Sequence, residues 1–146
     1  MEILVMNLNH INQIVEMEQL YFSDPWSASA FQSELDNPLA LWLVAVEGDR
    51  VLGYVGSQTV LGQADMMNLA VRYEYRRQGV AQQLVERLIQ DLSERNANIL
   101  MLEVRVSNDS AIAFYEKMGF VQVGRRPKYY FKPREDAFIM RKEWTI

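Results

Sequence analysis

Three stretches of this chain combine residue types that could act on a ligand. The first runs from Asn68 to Ala81, where an apolar segment ends in a loop carrying Arg76 and Arg77, then Gly79, then the small Ala81. The first turn of a helix has unpaired backbone N–H groups and partial positive charge. A glycine there lets the backbone approach a ligand with no Cβ in the way. With two arginines beside it, such a segment could cradle a pyrophosphate. An ordinary basic helix start is the alternative. The stretch lacks the Gly-Lys-Ser/Thr of a Walker A loop and has only one of the glycines of a Rossmann fingerprint.

The second stretch is Leu102-Glu103-Val104-Arg105. Strand alternation puts Leu100, Leu102, Val104 and Val106 on one face, and Met101, Glu103 and Arg105 on the other. A carboxylate inside an aliphatic strand is costly unless paired or useful. Either Glu103 pairs with Arg105 on its own face, or it serves a ligand. The third stretch runs from Ser107 to Phe120. Ala111, Phe114, Tyr115 and Met118 fall at helical spacing there, which by default means core. A buried Tyr115 would still need a partner for its hydroxyl.

Composition removes other chemistries. There is no cysteine, so disulfides, zinc–thiolate sites and cysteine nucleophiles are excluded. His10 is the only histidine and no Gly-x-Ser-x-Gly elbow exists, so a serine triad has little to build on. His10 is expected to face solvent at a helix start. A formal net charge of −4 argues against non-specific nucleic-acid binding. No apolar run is long enough to span a membrane and residues 1–5 lack a basic leader region, so a cytoplasmic protein is expected. The length of 146 residues suits one domain over 1–146 with its own core.

The elements that must position these residues follow from period and punctuation. Residues 2–6 read as a strand. Asn7 or Asn9 can cap a helix with Ile11, Ile14, Val15, Met17 and Leu20 on its apolar face. Ser27 caps a second helix that ends at Asn37-Pro38. Strands over 41–47, 51–61 and 64–71 come next, the first two joined as a hairpin. A helix over about 79–95 buries Ala81, Leu84, Val85, Leu88 and Leu92. Then come a strand over 99–106, a helix over 111–118 that Gly119 ends, and strands near 120–124 and 136–142. The order β-α-α-β-β-β-α-β-α-β-β predicts an α/β fold, a mixed central sheet flanked by helices, with a βαβ unit over 64–106.

At this point the motifs resemble a known family. Arg76-Arg77-Gln78-Gly79-Val80-Ala81 is similar to the Gln/Arg-x-x-Gly-x-Gly/Ala signature of the GCN5-related N-acetyltransferases (GNAT). The pattern Asn108-x-x-Ala111-x-x-x-Tyr115-x-x-x-Gly119-Phe120 is similar to that family's second signature. Within the family, Pro25-Trp26-Ser27 with Phe31, Asn68-Leu69-Ala70-Val71, Leu102 to Arg105, and Tyr129-Tyr130 with Arg134 to Ala137 most resemble the bacterial enzymes that acetylate the N-terminal alanine of a small-subunit ribosomal protein. Arg72-Tyr73 departs from the Asp-Pro common there, and Arg125-Arg126-Pro127-Lys128 is also unusual.

The resemblance implies the GNAT fold, acetyl-CoA as co-substrate, no metal, and direct acyl transfer to an amine. By the same resemblance, the backbone of Leu69, Ala70 and Val71 pairs with the pantetheine arm, as a ligand strand added to a sheet edge would. Arg76, Arg77, Gln78, Gly79, Val80, Ala81 and Gln82 hold the pyrophosphate, and Asn108 bonds the cofactor arm. Glu103 is implied as the base, Tyr115 as the acid for the leaving thiolate, and a backbone N–H near Val71 as the oxyanion donor. Trp26 and Tyr129 are implied as walls of the acceptor channel, with a protein N-terminus as partner and neither nucleic acid nor membrane expected. Three other readings compete: a GNAT enzyme for a small amine or lysine, a non-catalytic acyl-CoA-binding module, and a nucleic-acid binder using Arg72, Arg76 and Arg77.

Overall fold

Near-continuous buried runs over 41–46 and 51–57, covered on both faces, and a 3.6-residue period over 80–94 build one sheet with helices on both sides. The computed structural model describes residues 1–146. In chain order the elements are β1 (Glu2–Val5), α1 (Ile11–Tyr21), α2 (Ala28–Leu35), β2 (Ala40–Glu47), β3 (Arg50–Val60), β4 (Gln63–Val71), α3 (Val80–Glu94), β5 (Ile99–Arg105), α4 (Asp109–Lys117), β6 (Val121–Phe131) and β7 (Arg134–Glu143). Single 3-10 turns precede α1 and α3. This is the order expected from the sequence. The seven strands lie in the order β1-β2-β3-β4-β5-β7-β6. Only β4 and β5 pair in parallel, as the strands of a βαβ unit must.

Two cores form, one on each face. Leu84, Val85, Leu88 and Leu92 of α3 pack with Leu100, Leu102 and Val104 of β5 on one side. On the other, Ile11, Ile14, Met17 and Phe31 of α1 and α2 pack with Trp42, Val44 and Tyr54. Gly56 is required there, because an added Cβ would meet the Trp42 ring at 2.3 Å.

Local signals act as read, with four corrections. Asn7 caps the 3-10 turn before α1, and His10 is no idle surface residue, since its Nδ1 accepts the Asn7 N–H at 3.0 Å. Leu20 is exposed, while Glu18 takes its place on the buried side of α1. On α3, Val80 is buried and Ala81 half-buried. Finally, β6 runs to Phe131, well past the expected end near Gly124. Its ladder with β7 slips between Arg126 and Tyr130, and Pro127 and Lys128 sit in that irregularity. A proline without an N–H is tolerated where the ladder asks for no donor. No helix is long and apolar enough to cross a membrane.

Candidate active site

The site starts where two parallel strands stop pairing. The β4–β5 ladder holds only at Gln63–Ile99, Ala64–Leu100 and Asp65–Met101. Beyond Asp65 the strands part, and the β5-facing edge of β4 through Val71 has no strand partner. A bulge in β4 adds to the divergence, because Val55 and Ser57 of β3 face Leu69 and Met66, leaving Met67 and Asn68 opposite Gly56 alone. A cleft of about 1280 Å³ fills the gap, and its lining includes Met66, Leu69, Glu103, Asn108, Tyr115 and Tyr129.

Glu103 reaches this cleft from the middle of β5. Its pair is not Arg105. Arg126 of β6 lies 3.3 Å from the Glu103 carboxylate, and Arg105 is 3.2 Å from Glu135. The Glu103 side chain keeps 26% of its surface exposed. Burial pushes its carboxyl above the ordinary range and Asp65 adds to the rise, while Arg126 opposes it. A carboxylate with raised proton affinity and an open side can take a proton from a neighbour.

Tyr115 comes from α4, on the opposite face of the sheet. It is 8% exposed, and its hydroxyl is 3.8 Å from the Met66 sulfur, a weak acceptor. Burial pushes its phenol up, so the group holds its proton and can donate it. Glu103 and Tyr115 therefore enter one cleft from the two faces of the sheet.

The loop into α3 has the form of an anion cradle. Gly79 is the N-cap with φ +81°, and nothing lies within 4 Å of where its Cβ would be. A non-glycine residue would be strained there. No side chain caps α3, whereas Ser27 caps α2 and Asn108 caps α4. The first-turn N–H groups of Val80, Ala81 and Gln82 are thus free of a side-chain acceptor. The Gln82 side chain turns to Glu86, 2.9 Å away, and the Gln78 amide donates to the Glu74 carbonyl at 3.3 Å.

The arginines divide. Arg72 is buried, donating to the Val51 carbonyl and pairing with Glu16 at 3.1 Å, so it braces α1 against β3. Arg76 donates to the Val71 carbonyl at 3.1 Å and stacks 4.8 Å from the Tyr21 ring centre. Only Arg77 of the three has no such engagement. The Asn108 Oδ1 accepts the Ala111 N–H at 3.2 Å, its Nδ2 makes no protein hydrogen bond, and the residue lines the cleft.

On the acceptor side the two expected aromatics separate. Tyr129 lines the cleft beside Arg126, whose guanidinium lies 6.0 Å from the ring centre. Trp26 does not line it. Its half-buried ring packs against the edge of the aromatic core, 5.3 Å from Phe31 and 5.4 Å from Trp42. Its backbone matters more, because the Trp26 N–H donates to Glu18 Oε1 at 3.0 Å. Glu18, at 0% exposure, also accepts from the Tyr54 hydroxyl and, at 2.9 and 3.1 Å, from the Asn68 amide. It ties the first loop to the β4 bulge.

Sequence reasoning missed Glu18, Asp65 and Arg126. For Glu18 a signal existed: it stands four residues after Ile14 and seven after Ile11, on the helix face those residues bury. Arg126 carries no such signal, since its partner is twenty-three positions away in sequence and meets it only across the β5–β7–β6 order.

Comparison with known proteins identifies the family and the fold. Residues 11–120 match the family described as "Acetyltransferase (GNAT) family". The chain is 38% identical over 126 residues to the "[Ribosomal protein bS18]-alanine N-acetyltransferase" of Escherichia coli K12, covering 85% of this chain and 84% of the relative. A Bacillus subtilis relative, provisionally given the same name, is 38% identical over 136 residues, covering 92% and 90%. The crystal structure of the Escherichia coli ribosomal-protein-S18-alanine N-acetyltransferase superposes with a TM-score of 0.89 at 33% identity, over 99% of this chain and 94% of that one.

Proposed function

The chain belongs to the acetyltransferase (GNAT) family, and from that premise we propose that it acetylates the N-terminal alanine of a small-subunit ribosomal protein, as its bS18-alanine N-acetyltransferase relatives are named for doing. The observation that carries this is the entry of Glu103 and Tyr115 from opposite faces into the gap between β4 and β5. The activity for which the relatives are named supports the choice of acceptor. A ribosomal acceptor places the reaction in the cytoplasm.

Acetyl-CoA supplies the activated acyl group. The unpartnered β4 edge at Leu69, Ala70 and Val71 offers backbone groups to its arm, and Asn108 adds the Nδ2 donor. Arg77, Gln78, Gly79 and the first-turn N–H groups of Val80, Ala81 and Gln82 receive the pyrophosphate, with Gly79 allowing close approach. Arg76 acts at one remove, by holding the Val71 carbonyl and so the end of the β4 edge.

An α-ammonium has a pKa of about 7.7–8.0, so at neutral pH much of the acceptor must lose a proton before it attacks. The Glu103 carboxylate takes that proton, directly or across one water. A backbone N–H near Val71 donates to the carbonyl oxygen as it gains charge. The Tyr115 hydroxyl gives its proton to the departing sulfur. The amine nitrogen forms the new bond to the acyl carbon as the carbon–sulfur bond breaks, so no covalent enzyme intermediate is needed. Tyr129 walls the acceptor side, and Trp26 serves it through its backbone tie to Glu18.

The test is acetyl transfer followed by mass spectrometry. One synthetic peptide carries the ribosomal N-terminal alanine, and a second is N-terminally blocked and contains lysine. Acetylation of the free alanine alone is the expected result. Acetylation of lysine in the blocked peptide, or of neither peptide while small amines react, would overturn the acceptor assignment.

A further inference from the structure

Asp65 has no part in the chemistry above, yet it lines the same cleft. It forms no salt bridge, and no side chain or backbone N–H in the hydrogen-bond network caps its carboxylate. The neighbouring charges on the same wall are different. Arg105 is held by Glu135 at 3.2 Å and Arg126 by Glu103 at 3.3 Å. Both guanidiniums are thus engaged elsewhere, and Asp65 is left as a cleft carboxylate without an ion-pair partner, with Lys132 the remaining cation of the lining.

Its place along the sheet defines what it can meet. Asp65 is opposite Met101 in the last paired rung before β4 and β5 part. Alternation puts Met101 and Glu103 on the same face, so Asp65 sits one same-face step behind Glu103, about 7 Å back toward the closed end of the gap. Its cross-strand neighbour on β3, Gln58, also lines the cleft. On the proposed mechanism the acyl group lies by the unpaired β4 edge, so an amine delivered to Glu103 has it ahead, where the strands have opened. The remainder of the acceptor lies behind. One residue of extended chain spans about 3.4 Å and a side chain adds to that reach, which matches the step to Asp65.

We infer that Asp65 is a specificity-determining residue that selects acceptors with a basic side chain at the second position, arginine or lysine, and disfavours acidic ones. The inference rests on the N-terminal acetyltransferase reading. The attraction is a pairing of the acceptor's cation with Asp65, with Gln58 as a neutral polar neighbour and the Tyr129 face close by.

The experiment compares kcat/KM for three alanine-initiated peptides that differ only at residue two, as arginine, alanine or glutamate. The quantity read is the arginine-to-glutamate ratio, because any effect of Asp65 on Glu103 acts on all three peptides and divides out. The parent enzyme is expected to favour arginine over glutamate by about two- to fivefold, the scale of one solvated ion pair. Asp65→Asn should bring the ratio close to one, and Asp65→Lys should invert it. If Asp65→Lys does not fold, the Asn variant alone decides. A ratio unchanged by Asp65→Asn overturns the inference while leaving the N-terminal reading intact. Turnover of none of the three peptides by the parent enzyme overturns that reading, and the inference with it.

Discussion

The region around Glu18 and the region around Glu103 each hold a glutamate beside the β4–β5 gap, and they treat it in opposite ways. Glu18 lies behind the cleft wall at 0% exposure, and its two oxygens are saturated by Tyr54, Asn68 and the Trp26 N–H. Glu103 lies in the wall, keeps 26% exposure, and has one cation partner that is itself 55% exposed. A saturated carboxylate has no lone pair to spare and fixes what donates to it. An under-saturated one next to an opening can exchange a proton. The difference is not residue type or distance from the cleft but how many donors the fold brings to each.

The comparison can be broken most directly at Glu103. Glu103→Gln should lower kcat by about 10²- to 10⁴-fold, the usual worth of a positioned base, while thermal unfolding stays within about 0.5 kcal/mol of the parent. A variant that unfolded without losing turnover would put Glu103 in the same class as Glu18. The reverse holds for Glu18→Ala. It strands the Asn68 amide and the Tyr54 hydroxyl, and urea unfolding should register a loss of about 3 kcal/mol.

Smaller effects sharpen the contrast. Tyr115→Phe should reduce kcat about 10²-fold with little change in the KM for acetyl-CoA, since the acid acts on the leaving group. Because burial holds the Tyr115 phenol above its ordinary value, it stays protonated through the working range, and the parent pH profile should show no alkaline limb from it. On the proposed mechanism the acid limb belongs to Glu103. The base works as the carboxylate, and its raised pKa means that activity is lost, as pH falls, at a higher pH than an ordinary glutamate would give. Arg126→Gln removes the cation that opposes this rise. The acid limb of kcat/KM should move further up, with kcat at high pH little altered. A limb that stayed in place would show that the ion pair with Arg126 does not govern the base.

Legibility followed sequence distance. The helix α3 was readable because Leu84, Val85, Leu88 and Leu92 repeat at its period and Gly79 marks its start. Ser27 and Asn108 act as caps within three residues of the N–H groups they hold. The end of β6 was not readable, because Pro127 and Lys128 break a local pattern that pairing with β7 restores. Trp26 illustrates a different limit. The resemblance suggested a channel wall, whereas its half-buried ring rests against Phe31 and Trp42 at the edge of the core, outside the cleft lining.

By itself the sequence determined the element order and the glycine at the start of α3, and it marked Glu103 and Tyr115 as candidates for the chemistry. Those depend on period, backbone freedom and side-chain type, which are properties of neighbours along the chain. Only the tertiary structure decided that β4 and β5 part after three rungs, that Arg126 rather than Arg105 meets Glu103, and that Glu18 is spent on Tyr54 and Asn68. Each of these joins residues twenty or more positions apart, and no local pattern fixes which donor reaches which carboxylate until the strands are laid side by side.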